Sequence, residues 1–150
     1  MSVWFEGDGD IGCDIEQVKR SFEDLGAHYF GVVGRMPGLT SVSLVEQGPD
    51  SVTIRTNEGL MQRTNIVLRS EADRVVVELD EAYQAGSKVH TTAHFQDEFV
   101  ASGGGVRHRT VISGVEASGV LGFFYRTFGR ANTGKAFLAS YKAHLEQQGV

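Results

Sequence analysis

Two histidines, His90 and His94, lie four positions apart in the stretch VHTTAHF, and His108 follows in VRHRTVISG. Residues in a strand rise about 3.3 Å each, so the backbones of His90 and His94 are on the order of 13 Å apart. Zinc takes its nitrogen ligands at about 2 Å, which in a strand favours histidines at i and i+2. Position 92 is threonine. The spacing therefore predicts no metal site and no metal cofactor here.

Alternation along this stretch predicts which way the histidines face. Odd positions are apolar and even positions are polar, and the odd set is Val89, Ala93, Phe95 and Phe99. On the next strand Val111 and Val115 share the odd parity, which leaves His108 and Thr110 on the other face. We expect all three histidines to face solvent, with a cavity histidine as the alternative.

The hairpin around residues 72–73 contains the carboxylate best placed for chemistry. A two-residue turn there sets the register of both strands. The pairs that follow from it are Leu68–Val77, Ile66–Leu79, Thr64–Glu81 and Gln62–Tyr83. This register places an apolar zone beside a polar zone on the inner face. Glu81 is the candidate acid or base, and a carboxylate in water at the strand end is the alternative.

The glycines at 103–105 mark the turn of the last hairpin. With Gly103 to Gly105 in this turn, the predicted register places Phe95 opposite Val111 and Asp97 opposite Arg109. The second pair would then form a salt bridge near the edge of the sheet.

Length, charge and composition limit the kind of protein. The 150 residues predict one domain over 1–150, and the net charge of -5 argues against nucleic acid as a partner. No apolar run approaches the roughly 18 residues of a membrane span, which predicts no membrane insertion. The start of the chain does not resemble a signal peptide, so we expect a cytoplasmic protein. The lone cysteine, Cys13, is interpreted as structural.

The order of elements completes the prediction. A strand over residues 3–11 precedes a helix capped by Asp14 and a second short helix at 27–33. Residues 40–116 alternate with period two, and five turn motifs divide them into six strands of an antiparallel meander. The rest of the chain predicts a helix of roughly 25 to 30 residues that carries Phe124 and Phe128 on its apolar side.

This order, with the closing segment GVLGFFYRTFGRANTGKAFLASYKAHLEQ, resembles the START and birch-pollen-allergen-like (SRPBCC) superfamily, in particular its polyketide cyclase/dehydratase-like branch. The resemblance implies an α+β helix-grip fold, in which a curved seven-stranded antiparallel sheet wraps around the long C-terminal helix. It also implies a cavity between sheet and helix that binds an apolar or aromatic, lipid- or polyketide-like molecule.

The inner-face residues expected to line this cavity are Thr64, Ile66, Leu79, Glu81, Tyr83, Phe95, Val111, Phe124 and Phe128. Two other functions stay open. The protein could be a polyketide cyclase/dehydratase-like enzyme that uses an inner-face acid or base, or a chaperone or regulator that binds a protein partner. No cofactor is expected, and a monomer and a homodimer are equally compatible with the sequence.

Overall fold

The computed structural model describes residues 2–86, 89–118 and 130–148. Its strands are β1 (Val3–Ile11), β2 (Val42–Gln47), β3 (Val52–Thr56), β4 (Gly59–Ser70), β5 (Arg74–Ala85), β6 (Val89–Ser102) and β7 (Gly105–Ala117). Its helices are α1 (Ile15–Phe22), α2 (Leu25–Val33) and α3 (Arg130–Gln148). The seven strands form one sheet in the order β1-β7-β6-β5-β4-β3-β2, and all neighbouring strands are antiparallel. The predicted strand, helix pair and meander are confirmed, and so is the C-terminal helix over Arg130–Gln148; the part of that helix predicted before residue 130 lies outside the described residues.

Local sequence explains the two short helices. The Asp14 side chain accepts a hydrogen bond from the Gln17 amide at 2.8 Å, as an N-cap does at the start of α1. Asp24 caps α2 in the same way by accepting from the Ala27 amide. Among the described residues, no helix is long and apolar enough to cross a membrane.

Helix α3 packs against β1 and β7 and also contacts α1 and α2. It buries one stripe of side chains, Phe137, Tyr141 and Leu145, spaced four residues apart. Phe124 and Phe128, which were predicted to line the cavity, lie outside the described residues.

A β-bulge in β4 changes the predicted register of the β4–β5 hairpin. Leu68 pairs with Val77 as predicted, but Asn65 adopts a positive φ of 54° and the register shifts between Thr64 and Val67. The extra residue reverses the facing of every residue before it. The predicted pairing of Thr64 with Glu81 is therefore wrong, since Arg63 pairs with Glu81 and Thr64 with Asp80.

The same shift applies at the far end of the hairpin. Met61, and not Gln62, pairs with Tyr83. Met61 and Arg63 are buried while Gln62 and Thr64 are exposed. The inner face of β4 therefore carries a methionine and an arginine at the level of Glu81.

The turn between β6 and β7 changes a second predicted register. Gly103 and Gly104, with φ of 56° and 86°, form a two-residue turn that pairs Ser102 with Gly105. The predicted register of this hairpin is wrong by one residue, and with it the partners of Phe95 and Asp97. Phe95 pairs with Ile112 and Asp97 with Thr110.

This two-residue turn reverses the predicted facing along β7. His108 and Thr110 are buried, Arg107 and Arg109 are exposed, and Val111 is only partly buried. Arg109 bonds Glu6 of β1 instead of Asp97.

Replacing Gly104 with Ala should lower the free energy of unfolding by about 1 to 2 kcal/mol, because a side chain at positive φ meets the neighbouring carbonyl oxygen. Urea unfolding followed by circular dichroism measures the change. Gly9→Ala is the matched control, because a Cβ at Gly9 would contact nothing within 4 Å. We expect that control to stay within about 0.5 kcal/mol of the parent. Equal stability of both variants would contradict the two-residue turn.

Candidate ligand-binding site

A pocket of about 160 Å³ opens between the end of α2, the strands β3 to β5 and the start of α3. Its apolar wall consists of Val33, Met36, Leu39, Met61 and Phe137. Two methionines on one wall give an adaptable surface, because the thioether side chain fills irregular gaps. This part of the pocket suits an apolar molecule or group.

The opposite side of the pocket is polar and carries two carboxylates, Glu58 and Glu81. The Tyr83 hydroxyl donates to Glu58 Oε2 at 3.5 Å and lies 3.4 Å from Thr56 Oγ1. Carboxylates accept hydrogen bonds and donate none when ionised. This side therefore favours an occupant that donates a hydrogen bond.

Arg63 holds Glu81 in place from the interior of the protein. Its own side chain is buried. Arg63 Nε and Nη2 donate to the same oxygen, Glu81 Oε1, at 3.1 and 3.0 Å. Burial alone would lower the pKa of Arg63, but the adjacent Glu81 carboxylate and nearby tyrosines raise it above its ordinary value. The arginine is thus a permanent cation beneath the pocket.

Three aromatic rings surround this cation. The Arg63 guanidinium carbon lies 4.9 Å from the centre of the Tyr29 ring, 4.8 Å from that of Phe95 and 5.3 Å from that of Phe137. Such contacts stabilise a cation through the negative face of the ring, most strongly where water is excluded. The rings therefore help to offset the cost of burying Arg63.

A deeper polar layer lies one helical turn below the pocket. Tyr29 precedes the pocket residue Val33 by four positions on α2, and Tyr141 follows Phe137 by four on α3. Among the described residues, neither tyrosine hydroxyl nor Arg63 Nη1 makes a hydrogen bond of standard geometry, although the two hydroxyls and the guanidinium lie close enough to interact with one another. Burial raises the pKa of both tyrosines above the ordinary value. The polar side of the pocket thus continues inward as buried hydrogen-bonding groups.

The predicted solvent exposure holds for His90 but is wrong for His108. His94 is half-buried on the outer face, where its Nδ1 lies 3.0 Å from Asp80 Oδ1. The His108 side chain points inward, and its Nε2 lies 2.7 Å from Asp97 Oδ1. The two-residue β6–β7 turn is the physical reason for this correction.

Two further histidines, His28 and His144, are buried. Ser21 Oγ lies 2.7 Å from His28 Nδ1 and 3.3 Å from His144 Nε2. Burial and the neighbouring His144 lower the pKa of His28 well below its ordinary value. Burial and Arg35 lower the pKa of His144 to about 4. Both rings are therefore neutral near pH 7.

Gly31 makes room for this histidine pair. A Cβ at Gly31 would come within 2.2 Å of the His144 ring. A glycine on a helix can mark such a close approach, and this was the one signal in the sequence that could have located the pair. For Arg63 no sequence signal existed, because the bulge that turns it inward is not visible in the strand pattern.

The structure brings only part of the predicted cavity set together. Glu81 and Tyr83 line the pocket. Ile66, Leu79 and Phe95 are buried in the core, and Phe95 lies over Arg63.

Two residues of that set do not face inward. Thr64 is exposed because of the β4 bulge, and Val111 lies on the outer face because of the two-residue β6–β7 turn. Within the described ranges, no group of three or more histidine, cysteine, aspartate or glutamate side chains could hold a metal ion. Burial raises the pKa of the Cys13 thiol to about 11, which suits a structural role.

No protein-family model and no curated protein matches the chain. Solved structures do match its fold. A STAR-related lipid transfer protein from Xanthomonas axonopodis superimposes with a TM-score of 0.62 at 13% identity, over 95% of this chain and 85% of that one. The allergen Ara h 8.0201 gives a TM-score of 0.54 at 11% identity, over 95% and 97% of the two chains.

A third match is the two-domain aromatase/cyclase BexL of the BE-7585A biosynthetic pathway. It superimposes with a TM-score of 0.56 at 18% identity, over 95% of this chain and 49% of BexL. These structures share the curved sheet and C-terminal helix at identities that establish fold and not activity. The chain therefore has the helix-grip fold of the START and birch-pollen-allergen-like proteins.

Proposed function

We propose that the protein binds a small apolar or aromatic molecule that carries a hydrogen-bond donor. The observation behind this proposal is the pocket, in which an apolar wall faces a carboxylate, Glu81, held in place by a buried arginine. Ligand sites commonly combine an apolar lining with a few fixed polar groups that orient the ligand. The fold itself, in which helix and sheet enclose space, is compatible with this use.

The size of the pocket favours a ring over a long chain. Its volume is about 160 Å³ between the described residues, and an apolar cavity of about 150 Å³ accepts benzene. One aromatic ring, or the ring end of a longer molecule, fits this space.

Charge narrows the ligand class further. Glu58 and Glu81 both line the pocket, whereas Arg63 lies behind Glu81 and is already paired with it. An anionic headgroup such as a fatty acid carboxylate would meet like charge. A hydroxyl, an amine or an indole N–H would instead donate to a carboxylate that is ready to accept.

Binding is proposed in preference to acid catalysis by Glu81 because Arg63 already holds this carboxylate. Two guanidinium N–H groups already bond its Oε1, so the carboxylate is held as a hydrogen-bond acceptor. A general acid would need a transferable proton at this position. The arrangement therefore supports orientation of a ligand better than proton donation to it.

Indole should bind in the pocket at least about 5-fold more tightly than indole-2-carboxylate, because one like-charge contact costs roughly 1 kcal/mol even in water. Nuclear magnetic resonance of protein with ¹³C-labelled methionine methyl groups provides the measurement. Met36 and Met61 both line the pocket, so their signals should move on titration with indole.

Two variants that each add a phenyl ring provide the control. Thr133→Phe fills the pocket and should abolish the response of Met36 and Met61. Thr64→Phe places the same ring on the exposed outer face and should leave indole binding unchanged. If the Met36 and Met61 signals do not move when indole is added to the unmodified protein, the proposed site is wrong. It is also wrong if these signals move equally in both variants.

A further inference from the structure

The charged side chains that line the pocket beside Met61 and Phe137 are both carboxylates. They are Glu58 and Glu81, and among the described lining residues there is no lysine, arginine or histidine. Arg63 lies behind Glu81 and is paired with it, so it offsets one of the two negative charges. One negative charge therefore remains in excess at a pocket that has an apolar wall.

One oxygen of Glu81 remains available to a ligand. Both Arg63 donors bond Oε1, and no group of the described residues donates to Oε2. The Glu81 side chain is 10% exposed, and Oε2 does not belong to the polar atoms that are fully buried without a partner. Because the side chain points inward to Arg63 and lines the pocket, Oε2 is an acceptor that a bound molecule can reach.

Glu58 lies at the mouth of the pocket, in the turn that joins β3 to β4. Its amide donates to Thr56 Oγ1 at 3.1 Å, which helps to fix the turn. Its side chain spans the mouth, because Oε2 accepts from the Tyr83 hydroxyl at 3.5 Å while Oε1 lies 3.9 Å from the place of a Cβ at Gly38. Glu58 is exposed, so its charge is open to a ligand that enters from solvent.

The Tyr83 hydroxyl shows the sign of the electrostatic potential on the polar side of the pocket. Burial raises the pKa of Tyr83, and the negative charges of Glu58 and Glu81 raise it further, although a hydrogen bond with Thr56 acts in the opposite direction. Both carboxylates therefore act on the same point of the pocket. The Coulomb interaction that disfavours a negative charge there favours a positive one.

We infer that the ligand is a protonated aromatic amine, whose ring contacts the apolar wall and whose ammonium group donates to Oε2 of Glu81 within the electrostatic field of Glu58. This inference rests on the proposed function and narrows its ligand class. An ammonium group has N–H donors and no acceptor. Its hydrogen bond to a carboxylate is roughly twice as strong as one between neutral groups. A neutral hydroxyl could bond Oε2 but would leave the excess negative charge unbalanced.

The test is titration of the full chain, labelled with ¹³C in its methionine methyl groups, with 2-phenylethylamine and with 2-phenylethanol at pH 7. The two probes share one ring and one chain length and differ in the ammonium group. The amine should move the Met36 and Met61 signals and should bind at least about 5-fold more tightly than the alcohol. Sodium chloride at about 0.5 M should reduce that preference, because salt screens a charge at the mouth of the pocket.

Two variants that each remove one carboxylate provide the control. Glu58→Gln should reduce the ratio of amine affinity to alcohol affinity at least about 3-fold. Glu71→Gln changes the net charge equally, but Glu71 is exposed in the turn between β4 and β5, at the end of the hairpin away from the pair Gly59–Ala85. This variant should leave the ratio unchanged. An equal loss in both variants would show a general attraction of cations to an acidic protein and would overturn the inference.

Indole separates this inference from the proposed function. If indole moves the Met36 and Met61 signals while the amine binds no more tightly than the alcohol, the inference is wrong and the proposed function stands. If only the amine moves these signals, the inference stands and the binding of a neutral ring is excluded. If indole and both probes leave the signals unmoved, the inference and the proposed function are both wrong. The comparison of amine with alcohol in the unmodified protein decides the matter without any variant.

Discussion

Replacing Arg63 with Met should lower the free energy of unfolding by about 3 to 5 kcal/mol, the usual cost of removing one partner of a buried ion pair. The Arg63 side chain is 1% exposed and that of Glu81 is 10% exposed. The variant leaves the Glu81 carboxylate without its two donors and removes the cation from three aromatic rings. Urea unfolding at pH 7 measures the loss.

Two further variants separate the ion pair from simple packing. The double variant Arg63→Met with Glu81→Leu removes both charges and should recover at least half of the lost stability. Arg109→Met removes an exposed arginine that bonds Glu6, and it should cost no more than about 1 kcal/mol. A loss below about 1 kcal/mol for Arg63→Met would contradict a buried ion pair between Arg63 and Glu81.

Stability should fall as the pH drops from about 6.5 towards 4, by up to about 1.4 kcal/mol per pH unit for each of two histidines. The folded-state pKa is lowered to about 4 for His144 and well below its ordinary value for His28. In this window the unfolded chain binds more protons than the folded protein does, so acid favours unfolding. Above about pH 6.5 the contribution of both neutral rings is fully present.

Denaturant unfolding at pH 7.5, 6.5, 5.5 and 4.5 measures this slope. His28→Gln should flatten it, because one of the two buried rings is removed. His90→Gln changes an exposed histidine and should leave the slope unchanged. Identical slopes in all three proteins would show that the buried pair does not control acid stability.

Prediction from sequence succeeded where a pattern runs without interruption. The six strands of the meander and the first helix follow from alternation, turn residues and the capping residue Asp14. Glu81 and Tyr83 were expected on the inner face of β5, and both line the pocket. The pairing of β5 with β6 runs from Arg74 to Ala85 without a register shift, so the parity of β5 holds over the whole strand.

Prediction failed where one residue more or fewer in a strand or turn reverses which side chains face the interior. The bulge at Asn65 and the two-glycine turn before β7 each shift a strand by one position, which turns Arg63 and His108 inward. His28 and His144 lie on helices, where burial depends on which other element packs against them. Neither the bulge nor that packing changes composition or periodicity enough to be recognised in a single sequence.

The bulge at Asn65 has a consequence for any comparison of this chain with relatives. Because it sits between Ile66 and the pocket end of β4, the side chains that reach the pocket depend on a residue count as well as on residue identity. A relative that lacks one residue here would present the counterparts of Gln62 and Thr64 to its interior and those of Met61 and Arg63 to solvent. Two chains with nearly the same sequence in this strand could therefore select different ligands. The similarity of their aligned residues would not reveal that difference.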